Sequence, residues 1–260
     1  MIDPALEFEQ ELEVLRTEAE GAAQFFYSYL AIHAAAGDHQ KVHRLLNESA
    51  LLWNTILSGL QASTFIVLGR ILDQNSAHNV DRVLKIAQNH PGIFSRLALG
   101  KRKQGNLATP PNWLPAYLAQ AYVPKVADFR RLRAYVGKQR KIYNTKYREL
   151  RHKVFAHKEL TDAAAVSALF AKTNIRELQR LIVFFSRLYN ALWELLFNGR
   201  KPTLGARRYS LKAMRDRPSP PEIGRSVRER IAHEAEHFLV AAAGAAQQRI
   251  AGDAPKAARN

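Results

Sequence analysis

An all-α fold is what this chain predicts, and three observations carry the prediction. Apolar residues recur at three- and four-residue steps over long stretches, the pattern of helices with one buried face. Alternation of period two, which a half-buried strand requires, is absent over any usable length. Between the periodic stretches stand Gly, Pro, Asn, Asp and Ser, residues that start and stop helices. The expected architecture is a bundle of four to five main helices with a basic C-terminal helical extension.

Asp3-Pro4 opens the first helix with a capping residue and a proline in the first turn. Leu6, Leu12, Leu15, Ala19, Ala22, Ala23 and Phe26 give it an apolar face to about Ala36, and Gly37-Asp38 breaks it. A second long helix is predicted from Gln40 to Leu72, ending in the turn-forming run Asp73 to Ser76. A shorter helix, Val80 to Asn89, runs into Pro91. Gly100 to Pro115 reads as a flexible connection with Trp113 as a packing anchor. A helix from Tyr117 to Ala134, interrupted or bent near Pro124, precedes another from about Lys138 to near Leu160. Thr161-Asp162 begins a short helix through Ala171. Asn174 and Glu177 have capping-box spacing for a long helix, Ile175 to Phe197, closed by Asn198-Gly199. The first two helices, the 138–160 helix and the 175–197 helix should form the core.

Beyond residue 200 the character changes to a basic linker bearing proline and glycine. A helix from Glu222 to about Ile250 and an Ala-rich tail follow. The expected division is 1–199 as the helical domain, 200–225 as the linker and 226–260 as the C-terminal helix and tail.

Composition narrows the function. A formal net charge of +16 over 260 residues points to an anionic partner, nucleic acid first and an acidic membrane surface second. The absence of cysteine excludes disulfides, cysteine-ligated zinc and thiol nucleophiles. The N-terminus is acidic where a signal peptide is basic and then apolar. The longest apolar runs, Leu181–Phe185 and Leu192–Phe197, fall short of the ~20 residues that span a bilayer. A cytoplasmic protein without a membrane partner is expected.

The most informative stretch is Thr145 to Leu160, TKYRELRHKVFAHKEL, which sets Arg151 beside His152 and places His157 six residues after the arginine. On an α-helix six residues advance about 9 Å and turn to roughly 120° from the start, so the two do not share one stripe, but the long arginine side chain still lets both heads flank one anion from different heights. A second copy packed across a two-fold axis could bring two such sets into one cleft. These residues resemble the signature of the HEPN superfamily, an arginine, a polar residue, then a histidine four to six positions after the arginine. The surrounding Tyr147, Leu150 and Ala156-His157 look most like its abortive-infection, AbiU-like branch. Arg70, Leu72 and Asp73 are similar to an arginine, leucine and aspartate of that branch, with Asp73 expected to cap or pair.

The resemblance implies a metal-independent endoribonuclease without cofactor, acting in a toxin–antitoxin system or in antiphage abortive infection. It implies a homodimer with RNA as partner and an antitoxin protein as a further possible one. Three tasks are needed: taking the 2′-OH proton, stabilising the phosphorane and protonating the departing 5′-oxygen. Histidine suits the proton transfers and arginine the phosphate. The implied roles put His157 on proton transfer, Arg151 on the scissile phosphate and His152 on substrate orientation or a share of the proton work. From the residues alone the favoured reading is structural, Arg151 as an ion-pair residue and His157 as a satisfied histidine near a helix C-terminus. The alternative is then an inactive RNA-binding or assembly module on the same fold.

Cations crowd this stretch. Lys138, Arg140, Lys141, Lys146, Arg148, Lys153 and Lys158 are the candidate RNA contacts, with Arg130, Arg131 and Arg133 just upstream; only Asp128 and Glu149 oppose them in that span, and Glu149 is expected to pair with Lys153. Tyr143 and Tyr147, four apart, either stack on unpaired bases or pack inward, and packing is the expectation. His233-Glu234-Ala235-Glu236-His237 fits H-E-x-x-H, but Glu236 interrupts the usual uncharged spacer and only Asp253 follows as a third ligand. No metal site is expected.

Overall fold

The structure, a computed structural model, describes residues 3–156, 162–204, 211 and 226–252. It is all-α, with no strand among the described residues. The α-helices are α1 (Pro4–Asp38), α2 (Gln40–Glu48), α3 (Ala50–Leu72), α4 (Val80–Asn89), α5 (Arg96–Gln104), α6 (Leu114–Gln120), α7 (Val126–Lys146), α8 (Arg148–Leu150), α9 (Ala163–Ala171), α10 (Ile175–Asn198) and α11 (Val227–Gly252). A 3₁₀ turn (Pro91–Phe94) precedes α5, and a π-helical turn (Arg151–Ala156) follows α8.

Three departures from the sequence reading have local causes. The second helix is two, because Ser49 leaves the helical region at φ −120° and ψ 43°. Part of the supposed flexible connection is α5, whose N-terminus the Ser95 hydroxyl caps by accepting from the Ala98 N–H at 3.2 Å. Gly100 within it is buried where a Cβ would stand 3.0 Å from Leu118. Near Pro124 the expected helix is interrupted, α6 ending at Gln120 and α7 starting at Val126, which is one of the two outcomes the proline allows. Beyond it the buried Asp128 carboxylate accepts from Tyr122 Oη at 2.6 Å, Lys125 N at 2.9 Å and Arg131 Nη2 at 2.8 Å. Burial raises the Asp128 pKa, but these bonds and charges outweigh it and hold the group below the usual carboxylate value. Finally, α7 runs unbroken through the expected junction near Lys138 and ends at Lys146.

Other readings match closely. α1 ends at Asp38, Asp162 caps α9 by accepting from Ala165 N at 2.8 Å, and α10 ends at Gly199 in the left-handed region, φ 58°. Asn174 caps α10 as its position suggested, accepting from Arg176 N at 2.8 Å and Glu177 N at 3.3 Å. The Glu177 side chain instead meets Lys146 Nζ at 2.6 Å.

Two compact units emerge, each built from two stretches of the chain. One comprises residues 1–21 and 65–207. Its core includes Phe8, Leu12, Leu68, Leu84, Leu132 and Leu181, with Phe94 edge-on to Phe8 and tilted against Phe129. The other comprises 22–64 and 208–260 and packs α11 against α2, burying Ile32, Ala35, Val42, Leu239 and Ala243. Ser226 and Glu229 form a capping box at the start of α11, the Ser226 N–H donating to Glu229 Oε2 at 2.9 Å. The expected start at Glu222, and most of the 200–225 linker, lie outside the described residues.

By length and composition α3 is apolar enough to cross a bilayer, with a window of mean hydropathy 1.4 that is 39% buried. Asn54, Thr55, Ser58 and Gln61 interrupt its apolar runs, which is why the sequence reading passed over it. Its C-terminal part, Phe65 to Leu72, supplies Leu68, Ile71 and Leu72 to the first unit's core.

Candidate active site

Two stripes of residues at four-residue steps build the site. On α3 they are Phe65, Gly69 and, just past the helix end, Asp73. On the segment from α7 into the π turn they are Tyr143, Tyr147, Arg151 and Phe155. Residues four apart share a face, and such rows interdigitate when helices pack. Phe65 lies between Tyr147, 5.9 Å away, and Phe155, 5.3 Å away, both stacked on it. Four residues overshoot one α-helical turn by about 40°, so the row drifts sideways as it climbs. A π turn takes more residues per turn and swings the row back, which returns Phe155 to Phe65. Up to Ala156, where the described part of the segment ends, the helix expected over 138–160 is therefore the end of α7, a single turn at α8 and this π turn.

Arg151 sits at the centre of the row. Its guanidinium lies on Gly69, where a Cβ would stand 1.8 Å from Nη1 and 2.7 Å from Cδ and Cζ. Only glycine leaves room there. Nη1 pairs with Asp73 Oδ2 at 2.9 Å, and the two side chains are 15% and 29% exposed. Nη2 lies 3.3 Å from His152 Nε2. Since arginine only donates, Nε2 accepts in this contact, in the tautomer that carries its proton on Nδ1. Asp73 thus resolves to pairing, and His152 addresses the arginine beside it. A guanidinium offers five N–H donors, so these two contacts do not exhaust it.

The end of α3 takes a second arginine. Arg140 Nε donates to the Leu72 carbonyl at 3.2 Å while Nη2 pairs with Asp81 at 2.5 Å. Cations at a helix C-terminus meet its unpaired carbonyls and its dipole favourably.

Both tyrosines pack inward. Tyr147 Oη donates to the Asn174 carbonyl at 3.1 Å and accepts from the Asn174 N–H at 3.3 Å, fastening the motif to the start of α10. Tyr143 is 1% exposed, and its hydroxyl has no hydrogen-bond partner of acceptable geometry. Burial pushes its pKa up to about 12, against the opposing charge of Arg151. Burial likewise raises Tyr147 to about 12.

The expected RNA contacts separate by partner. Arg140 pairs with Asp81, Lys146 with Glu177 and Lys153 with Glu149 at 2.7 Å. Lys138, Lys141 and Arg148 are exposed and meet no carboxylate among the described residues. His157 and Lys158 lie outside the described residues. In the H-E-x-x-H segment Glu236 reaches His39 Nε2 at 3.7 Å, and no three metal-ligating groups converge among the described residues.

The sequence reading missed Gly69 and the partners of Arg151. A glycine inside an otherwise apolar helix was the available signal, since it marks a close approach. The helical fold and the arginine-led motif define the class as the HEPN superfamily. Within it, the chain matches the AbiU2 family over residues 5–215 and belongs to that abortive-infection-associated family. No match is found among curated proteins or solved structures.

Proposed function

We propose that the chain is a metal-independent endoribonuclease of the HEPN type, acting in toxin–antitoxin or antiphage defence as a cytoplasmic homodimer. The observation that supports it best is the seat built for Arg151. Gly69 makes room for the guanidinium, Asp73 and His152 fix its fork, and donors remain for a phosphate oxygen. In this reading His157 takes the 2′-OH proton, the 2′-oxygen attacks the adjacent phosphorus, and Arg151 stabilises the charge on the phosphorane. The departing 5′-oxygen takes a proton from the imidazolium that His157 has become, giving a 2′,3′-cyclic phosphate and a 5′-OH and restoring the neutral histidine. A second subunit would supply the other copy of the pair.

The reaction is tested by incubating the purified protein with RNA in EDTA and analysing the ends. Cyclic phosphate termini, together with loss of cleavage when the scissile nucleotide is 2′-deoxy, are the expected result. Cleavage that needs a divalent cation, or 3′-OH ends, would overturn the mechanism.

The Arg151–Asp73 pair favours one second reading, a catalytically silent module in which the arginine only ties the π turn to α3. There Arg151→Lys, which keeps the charge but not the fork, would leave the cellular phenotype intact. A nuclease loses activity with the same change.

A further inference from the structure

The cations of α7 sort by direction. Those turned toward other elements or the helix's own first turn meet carboxylates: Arg131 with Asp128, Arg140 with Asp81 and Lys146 with Glu177. Arg130, Arg133, Lys138, Lys141 and, one turn beyond, Arg148 are all exposed and meet no carboxylate among the described residues. At about 100° per residue, Arg130, Lys141 and Arg148 fall nearly in line, with Arg133 and Lys138 on either flank. The row is about 27 Å long, and uncharged Ala134, Gly137, Asn144 and Thr145 fill the face between its cations. A solvated helix face ordinarily mixes signs. This one carries a single sign and ends three residues short of Arg151.

We propose that this face of α7 is a track for the phosphodiester backbone of single-stranded RNA, delivering it to Arg151. The proposal rests on the ribonuclease reading for the sugar and for the destination of the strand. One straight row suits an extended strand, because either backbone of a duplex winds away from a straight line within a few nucleotides. An RNA duplex also offers proteins its broad minor groove, which a single row cannot span. At the rim stands Tyr135, 37% exposed with Lys138 Nζ 5.9 Å from its ring centre, and a splayed base can stack there.

The test measures binding of a fluorescent single-stranded RNA to the full chain carrying His157→Ala, so that cleavage chemistry does not enter. Adding Arg130→Gln, Arg133→Gln and Lys141→Gln should weaken binding at least about tenfold and lower the log–log salt slope by about 2, near 0.7 per lost contact. A control removing the same charge elsewhere, Lys85→Gln with Lys101→Gln and Arg180→Gln, should change binding less than about threefold. Unlabelled duplex of the same sequence should compete poorly. Far-ultraviolet dichroism confirms folding, and Lys141→Glu alone, at an exposed position, gives the same answer with the least perturbation. Equal losses from the two triple sets, efficient competition by duplex, or no RNA binding by the parent would each overturn the track. Failure of the nuclease reading looks different: track variants still lose binding, while Arg151→Ala and His157→Ala leave RNA cleavage unchanged.

Discussion

Gly69 is where a single hydrogen decides whether Arg151 has a place to lie. Glycine to alanine in a helix interior ordinarily stabilises by about 1 kcal/mol. At Gly69 the new methyl would overlap the guanidinium and break its pair with Asp73, so Gly69→Ala should cost about 1–2 kcal/mol net and abolish RNA cleavage. In an Arg151→Ala background the same change meets no guanidinium and should stabilise by up to about 1 kcal/mol. Denaturant unfolding of the four proteins checks the reversal of sign. Tyr143 offers a second residue-scale test. Its buried hydroxyl has no hydrogen-bond partner of acceptable geometry among the described residues, so Tyr143→Phe should leave stability level or raise it by up to about 1 kcal/mol. The folded pKa values of Tyr143 and Tyr147, both about 12, stand above the usual phenol value. The stability from keeping both phenols neutral is therefore intact below about pH 10 and lost as pH rises toward 12. Unfolding midpoints followed from pH 9 upward should fall, and less steeply in Tyr143→Phe.

Among the elements, those specified by their own ends were legible. Asn174 lies next to the N–H groups it caps, so its role could be read from a few residues. Asn174→Ala should cost about 1 kcal/mol in thermal or denaturant unfolding, and Glu177→Gln should cost less, because Glu177 serves an ion pair across to Lys146 rather than the cap. That partner is distant in sequence, and spacing could not reveal it. The π turn was hidden for the same reason. Nothing between Arg151 and Ala156 forbids an α-helix; what matters is Phe65, far upstream, against which both Tyr147 and Phe155 stack. α5 was overlooked because Gly100 and its lysines suggest a loop, whereas the glycine is there for the close approach of Leu118.

For the molecule as a whole, helical periodicity made the all-α class plain, and the motif made the superfamily plain. Where the C-terminal helix packs was not legible. α11 follows a proline-bearing linker in sequence, yet its apolar face packs on α2 in the second unit. The crowding of cations from Arg130 to Lys158 was legible, but not their sorting into those paired across elements and a row on α7 that meets no carboxylate among the described residues. What remains decisive is whether Arg151 and His157 act together on a phosphodiester. The most direct measurement is kcat/KM for RNA cleavage in EDTA by wild type, Arg151→Ala, His157→Ala and the double variant. Each single change should lower it by at least about 10²-fold, with the double variant little worse than either single one. Undiminished cleavage by either single variant would contradict the nuclease assignment.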